Sequence, residues 1–173
     1  MNRTLAPIAL ILAVLGAGCS SPTPSDPATP TTAAPTAAAP AAIVHDGRAI
    51  EMTGNDTMKF SVTEITAKPG EKLSITLVNV GTTPKFSMGH NWVLVAAGID
   101  MEAFLVASAE AVTTDYVPRV AYGDKILAAT KLLGPNERDT ATFTAPTTPG
   151  RYEFICSFPG HYQVGMRGVL IVQ

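Results

Sequence analysis

The sequence predicts an all-β sandwich or barrel, interrupted by one helix and preceded by a disordered linker. Three observations predict it. From about residue 43 onward, short apolar segments with period-two alternation are broken at short intervals by Gly, Pro and Thr. One stretch, 100–112, switches to helical spacing. Ahead of both lies a run of small residues and prolines that cannot bury a core. The chain has 173 residues, 46% hydrophobic and 15% charged, which gives room for one ordinary domain plus extras. A formal charge of −2 and the lack of any basic block argue against a nucleic-acid partner.

Taken in order, residues 1–18 read as a targeting segment. Arg3 supplies the positive start, and the apolar run 5–17 (LAPIALILAVLGA) is too short for a comfortable permanent span. "LGAGCS" resembles a bacterial lipoprotein signal, with Cys19 the lipidated first residue of the mature chain. Gly16 stands where such signals usually carry leucine, with Leu15 one place earlier. A plain secretory peptide cleaved nearby is the alternative; either way the working protein is expected outside the cytoplasm. Residues 19–42 carry six prolines and nothing bulky, and read as a Pro/Ala/Thr-rich tether. At about 3.1 Å per residue it reaches roughly 70 Å when extended.

The domain is expected over 43–173. "TMKFSVTEITA" (57–67) places Met58, Phe60 and Val62 on one face, with a bulge or turn before Ile65. "KPGE" (68–71) is a turn. "KLSITLVNV" alternates Leu73, Ile75 and Leu77 against Ser74 and Thr76. "HNWVLVAA" reads as an apolar strand, and "DTATFTAP" as a weakly alternating one. "RYEFICSF" sets Tyr152, Phe154, Cys156 and Phe158 on one face, and "GMRGVLIVQ" closes the chain. Such spacing indicates an antiparallel arrangement. In 100–112 the apolar stripe Met101, Phe104, Leu105 and Ala109 is expected to pack on the core rather than form a binding groove.

Chemistry concentrates in "CSFPGHYQVGM" (156–166). The sequence has two cysteines; if Cys19 takes a lipid, Cys156 has no partner within the chain. An unpaired thiol in an oxidising compartment is a liability unless it is buried or metal-bound. A thiolate, the imidazole of His161 and the thioether of Met166 lie on one short loop. Thioethers suit copper rather than hard cations, and two histidines, a cysteine and a weak axial methionine are the donor set of blue copper. Of the other two histidines, His45 lies at the linker edge, where solvation is the default, and His90 enters an apolar strand. A lone strand histidine is usually only packed or capped, but the loop needs one more imidazole, which raises the ligand reading of His90 above that default.

"TPKFSMGHNWVL" (83–94) and "CSFPGHYQVGMRGVL" (156–170) resemble the two copper-binding segments of the azurin family, and "GNDTMKF" (54–60) and "ATKLLG" (129–134) extend the likeness over nearly all of 48–173. The resemblance implies a cupredoxin Greek-key β-sandwich. It implies His90, Cys156 and His161 as strong ligands, Met166 as the weak axial one and the Gly89 carbonyl as a distant contact. The backbone N–H groups of Asn91 and Phe158 are implied to point at the cysteine sulfur, and Trp92 to pack in the core. Met88, Phe158, Pro159, Gly160 and Val164 are implied to form an apolar docking patch around the loop histidine; for Met88 and Phe158, capping the barrel end is an equal alternative. Four residues separate His161 from Met166, one more than in azurin and as in the membrane-attached relative auracyanin. Azurin's disulfide positions fall near Arg48 and Glu71, and two further azurin histidines fall at Asn79 and Ala129, so neither the staple nor a pH effect through those histidines is expected.

The implied function is one-electron transfer by a single copper ion, in a membrane-anchored, periplasmic monomer that meets redox protein partners transiently. Copper storage or delivery is the alternative, and would favour an exposed Met- or His-rich cluster that the sequence lacks. A copper nitrite reductase would need a second copper centre and further histidines. A thiol nucleophile would need an orienting Asp or Asn that does not follow in the loop. No enzyme activity is expected.

Overall fold

The computed structural model describes residues 47–173. The targeting segment 1–18, Cys19, the tether 19–42, His45 and the first residues of the expected domain, 43–46, lie outside the described residues. Eight strands follow in chain order: β1 (Arg48–Gly54), β2 (Glu64–Ala67), β3 (Lys72–Asn79), β4 (Val93–Val95), β5 (Ile126–Ala129), β6 (Arg138–Thr144), β7 (Gly150–Ile155) and β8 (Arg167–Val172). Three α-helical segments interrupt them: α1 (Lys85–Met88), α2 (Met101–Glu110) and α3 (Arg119–Tyr122). One sheet has the order β1-β3-β6 and the other β2-β8-β7-β4-β5.

The sandwich is as the sequence predicts, but its pairing is not wholly antiparallel. β1 pairs with β3, and β2 with β8, in parallel. Alternation reports which face a residue takes, not which way its neighbour runs, so this could not be read from the period. The expected strand over 57–67 shrinks to β2; Met58 sits at φ 55° and Phe60 only bridges to Gly54. The turn at 68–71 forms with Gly70 at φ +75° and the Glu71 N–H donating to the Lys68 carbonyl at 3.0 Å.

Trp92, Leu94, Tyr152, Phe154, Cys156 and Phe158 face the space between the sheets, where Leu73, Ile75 and Leu77 meet them. Ser74 and Thr76 are buried as well, against expectation. Their hydroxyls pair with Thr142 and Thr140 on β6 at 2.9 and 2.8 Å, which removes the cost of burial. Val93, Val95 and Ile155 point the other way, into a second cluster closed by Phe104 of α2 with Val117 and Ile126. β4 is therefore apolar on both faces because the helix covers its outer one.

Asp100 caps α2, its carboxylate accepting from the Ala103 N–H at 3.1 Å. The packed stripe differs at one position from the predicted one. Phe104 is buried, and Met101 and Leu105 pack beside it, but Ala109 is exposed and Ser108 takes the buried place, its hydroxyl donating to the Phe104 carbonyl at 2.8 Å. Arg48 Nε and Glu71 Oε1 form an ion pair of 2.6 Å between β1 and the turn before β3. None of the helices among the described residues is long and apolar enough to cross a membrane.

Candidate metal centre

The ladder between β7 and β8 sets the site. Their last strand pair is Ile155 with Arg167, and one further rung follows, the Cys156 N–H donating to the Met166 carbonyl at 3.0 Å. Cys156 and Met166 thus stand opposite one another at the mouth of a hairpin loop. Within it the His161 N–H donates to the Phe158 carbonyl at 3.1 Å, and the Met166 N–H to the His161 carbonyl at 2.9 Å. These turns fold His161 back over the mouth. β4 runs antiparallel to β7, with Val93 opposite Ile155, so the residues before Val93 pass alongside those after Ile155. His90 arrives there fixed by two backbone bonds with Leu133, of 3.1 and 2.8 Å.

The donor atoms of His90, Cys156 and His161 lie within 4.8 Å of one another, and all three residues are buried. The Nδ1 atoms of the two histidines are 3.2 Å apart, and His161 Nδ1 is 3.3 Å from Cys156 Sγ. Met166 is fully buried beside them: a Cβ on Gly54 would come 2.8 Å from its Cε and 3.3 Å from His90 Cδ2. Gly89 is buried directly before His90.

This donor set fits a soft or borderline cation. Burial pushes the Cys156 thiol up to about 12, against the pull of the Asn91 and Phe158 backbone N–H groups toward the sulfur. Burial, then the charge of His90, holds His161 down to about 4. His90 is also lowered, by burial first, with the Asn55 carbonyl and the Asp56 charge opposing. Burial thus favours the neutral, lone-pair-bearing form of both imidazoles. The two Nδ1 atoms face one another, and that of His161 also meets the sulfur. A cation bound to the sulfur replaces its proton and supplies the counter-charge that burial denies the thiolate. Separations of 3.2 and 3.3 Å suit one shared ion with bonds of about 2.0–2.3 Å.

The Asn91 side chain ties the two ligand segments together, a role its sequence position did not reveal. Its Nδ2 donates to the Asp115 carbonyl and to Ser157 Oγ, both at 2.8 Å, and its Oδ1 accepts the Ser157 N–H at 2.8 Å. Ser157 Oγ in turn donates to the Tyr116 carbonyl at 2.7 Å. The Asn79 side chain donates to the Leu133 carbonyl at 3.0 Å and so braces the segment that grips His90. The signal for Asn91 was its place beside the histidine; its partners are 24 and 66 residues away and carried none.

Of the expected patch, Pro159, Gly160 and Val164 are exposed and Met88 is half-buried. Phe158 is only 8% exposed, its ring packed between His161 and Tyr116 at centroid distances of 4.7 and 4.9 Å. Phe86, which sequence reading passed over, is 84% exposed on α1, just ahead of Gly89.

Residues 48–173 match the model of the copper binding proteins of the plastocyanin/azurin family. Azurin of Pseudomonas denitrificans is 36% identical over 130 residues, 72% of this chain and 98% of that protein. Outer membrane protein H.8 of Neisseria gonorrhoeae is 40% identical over 116 residues, 65% of this chain and 61% of that one. The crystal structure of reduced auracyanin from Roseiflexus castenholzii superposes with a TM-score of 0.61 at 36% identity, over 72% of this chain and 96% of that chain. The chain belongs to the plastocyanin/azurin family of copper-binding proteins, and its cofactor is one copper ion.

Proposed function

We propose that this protein is a one-electron carrier and not an enzyme, with His90, Cys156 and His161 as strong ligands, Met166 as the weak axial one and the Gly89 carbonyl as a distant contact. The observation that carries the reading is the meeting of three buried donors from two segments within 4.8 Å. Copper supplies one-electron exchange between Cu(II) and Cu(I). The chain supplies a fixed frame. Leu133 holds His90, the β7–β8 rung holds Cys156 against Met166, and Asn91 locks the two segments, so little is free to rearrange when charge changes. Phe158 and the two sheets exclude water from the sulfur, which is 0% exposed. His161, at 2% exposed, is the least buried of the four proposed ligand side chains. Of the expected patch, Met88, Pro159, Gly160 and Val164 remain as an apolar rim suited to brief contact with redox protein partners, with buried Phe158 capping the barrel end beneath them.

The reading extends to the whole chain. Residues 1–18 are a lipoprotein signal, Cys19 carries the lipid, 19–42 is the tether and 43–173 the copper domain, working as a monomer outside the cytoplasm. The "LGAGCS" motif supports this, as does likeness to a protein named as an outer membrane one. Membrane fractionation of the full chain beside Cys19→Ser tests the anchor; release of the variant alone supports it. For electron transfer, the test is the visible spectrum and reduction potential of the copper-loaded chain, with a Cu(I) chelator added. Intense thiolate-to-copper absorption, a reversible one-electron wave and slow copper loss are expected. Rapid surrender of the metal would favour storage or delivery instead.

A further inference from the structure

Four residues separate His161 from Met166, and inside that span the Gly165 N–H donates to the Tyr162 carbonyl at 2.9 Å. On one flank the Tyr162 hydroxyl donates to Glu153 at 3.2 Å, and the Arg167 guanidinium lies 4.7 Å over the Tyr162 ring. On the other flank the Val164 N–H reaches the Gly160 carbonyl at 3.4 Å, the longest backbone bond within the loop. The Val164 carbonyl accepts from Lys59 Nζ, which comes from a segment 105 residues earlier. Gly165 makes room for this contact. It sits at φ +93°, and a Cβ there would lie 2.7 Å from Lys59 Nζ.

Lys59 is itself presented by a tightly wound turn. Asn55 Oδ1 accepts from the Thr57 N–H at 3.0 Å and from its hydroxyl at 2.6 Å. The Met58 N–H donates to the Asn55 carbonyl at 2.9 Å, and buried Phe60 anchors the far end by bridging to Gly54. Gly54 begins the same turn and lies against Met166 Cε and His90. One short segment therefore touches the axial side chain at one end and grips the backbone two residues ahead of it at the other.

We propose that Lys59 is a positioning residue for the ligand loop: its bond to the Val164 carbonyl holds the span 162–165 so that Met166 stays seated beside His90. The proposal rests on the reading of His161 and Met166 as ligands. A weak, long axial contact has a shallow minimum of its own, so its length is set by the backbone that carries it. A four-residue span between His161 and Met166 keeps freedom of its own, and a hydrogen bond from outside the loop to the Val164 carbonyl removes part of it.

The experiment compares the full chain with Lys59→Met, of similar length but without a donor, and Lys59→Arg. In the metal-free protein, amide hydrogen exchange over 162–166 is expected to quicken about 3- to 10-fold in Lys59→Met and to return toward normal in Lys59→Arg, with β7 and β8 unchanged. In the copper-loaded protein, Lys59→Met is expected to shift both the reduction potential and the absorption band pattern, and the shift should persist at about 1 M salt, where the screening length is about 3 Å. Unchanged exchange over 162–166 overturns the proposal. So does a potential shift that disappears in salt while the spectrum stays constant, since Lys59 would then act through its charge alone. If the unmodified chain shows no thiolate-to-copper absorption, the ligand reading fails, while the exchange measurement still decides whether Lys59 holds the loop.

Discussion

His90 is held by two backbone hydrogen bonds to Leu133 in the body of the barrel, whereas His161 stands inside an eleven-residue hairpin loop closed by turns and side-chain contacts. The first ligand inherits its position from sheet packing. The others depend on local holds: the Cys156–Met166 rung, the Asn91–Ser157 pair and Tyr162 against Glu153. The difference separates two kinds of defect. Damage to the barrel should lower stability before it alters the metal's surroundings. Damage to the loop's holds should alter those surroundings at smaller cost in stability.

Cys156→Ser gives the largest expected effect, because it removes the soft anion that both segments converge upon. Complete loss of the thiolate-to-copper absorption is expected, with most of the rise in Tm that copper confers on the unmodified chain. Spectroscopy and thermal unfolding with and without copper check it. A variant that kept the absorption would end the ligand assignment.

Phe104→Ala tests the barrel side. Phe104 is fully buried in the cluster on the outer face of the larger sheet, which contains none of the proposed ligand side chains. A loss of about 3–5 kcal/mol in urea unfolding is expected, from lost apolar contact and the cavity left behind. The copper spectrum should stay as it was. A changed spectrum would erase the distinction between the two regions.

Asn91→Ala tests the seam between them. It strips partners from the Ser157 N–H, Ser157 Oγ and the Asp115 carbonyl around a fully buried position. A cost of about 2–4 kcal/mol follows from buried polar groups left unpaired. Here both readouts should move, because the cross-link serves the fold and aligns Cys156 with His90. A stability loss with an unmoved spectrum would assign Asn91 to the barrel alone.

How far the sequence could be read follows the same division. Cys156, His161 and Met166 announce themselves because one short loop carries three soft or borderline donors, and with His45 at the linker edge His90 was the histidine inside a predicted strand that could complete them. Strand faces were legible from alternation, as with Tyr152, Phe154, Cys156 and Phe158 in one cluster. The holds were not. Asn91 with Ser157, and Lys59 with Val164, join residues 66 and 105 positions apart, and local pattern carries no trace of such pairs. The parallel pairing of β1 with β3 was hidden for the same reason, since strand order is a property of the closed fold. Ser108 displaced Ala109 from the helix stripe because its hydroxyl found the Phe104 carbonyl, which made burial of a polar residue cheap.

The smallest expected effect concerns acid. Asp56 lies in the turn that begins at Gly54, and accepts from the Thr82 N–H and hydroxyl, both at 2.9 Å, and from the Thr83 N–H at 3.3 Å. The Thr82 N–H and hydroxyl, ahead of Thr83, hold its carboxyl below the usual carboxylate range. A depressed folded-state value means the folded chain binds the proton less readily than the unfolded one. The stabilisation is therefore complete above about pH 4 and fades as pH falls through the depressed value. Asp56→Asn keeps the shape but loses the charge, so it should lower stability slightly at neutral pH and flatten its decline below about pH 4. Urea unfolding between about pH 3 and 7 reads both. The Asp56 charge also faces His90, so the metal-free variant should show the His90 imidazole titrating lower still by NMR. An unchanged His90 titration beside a flattened acid profile would confine Asp56 to bracing the turn, and would leave His90 governed by the barrel alone.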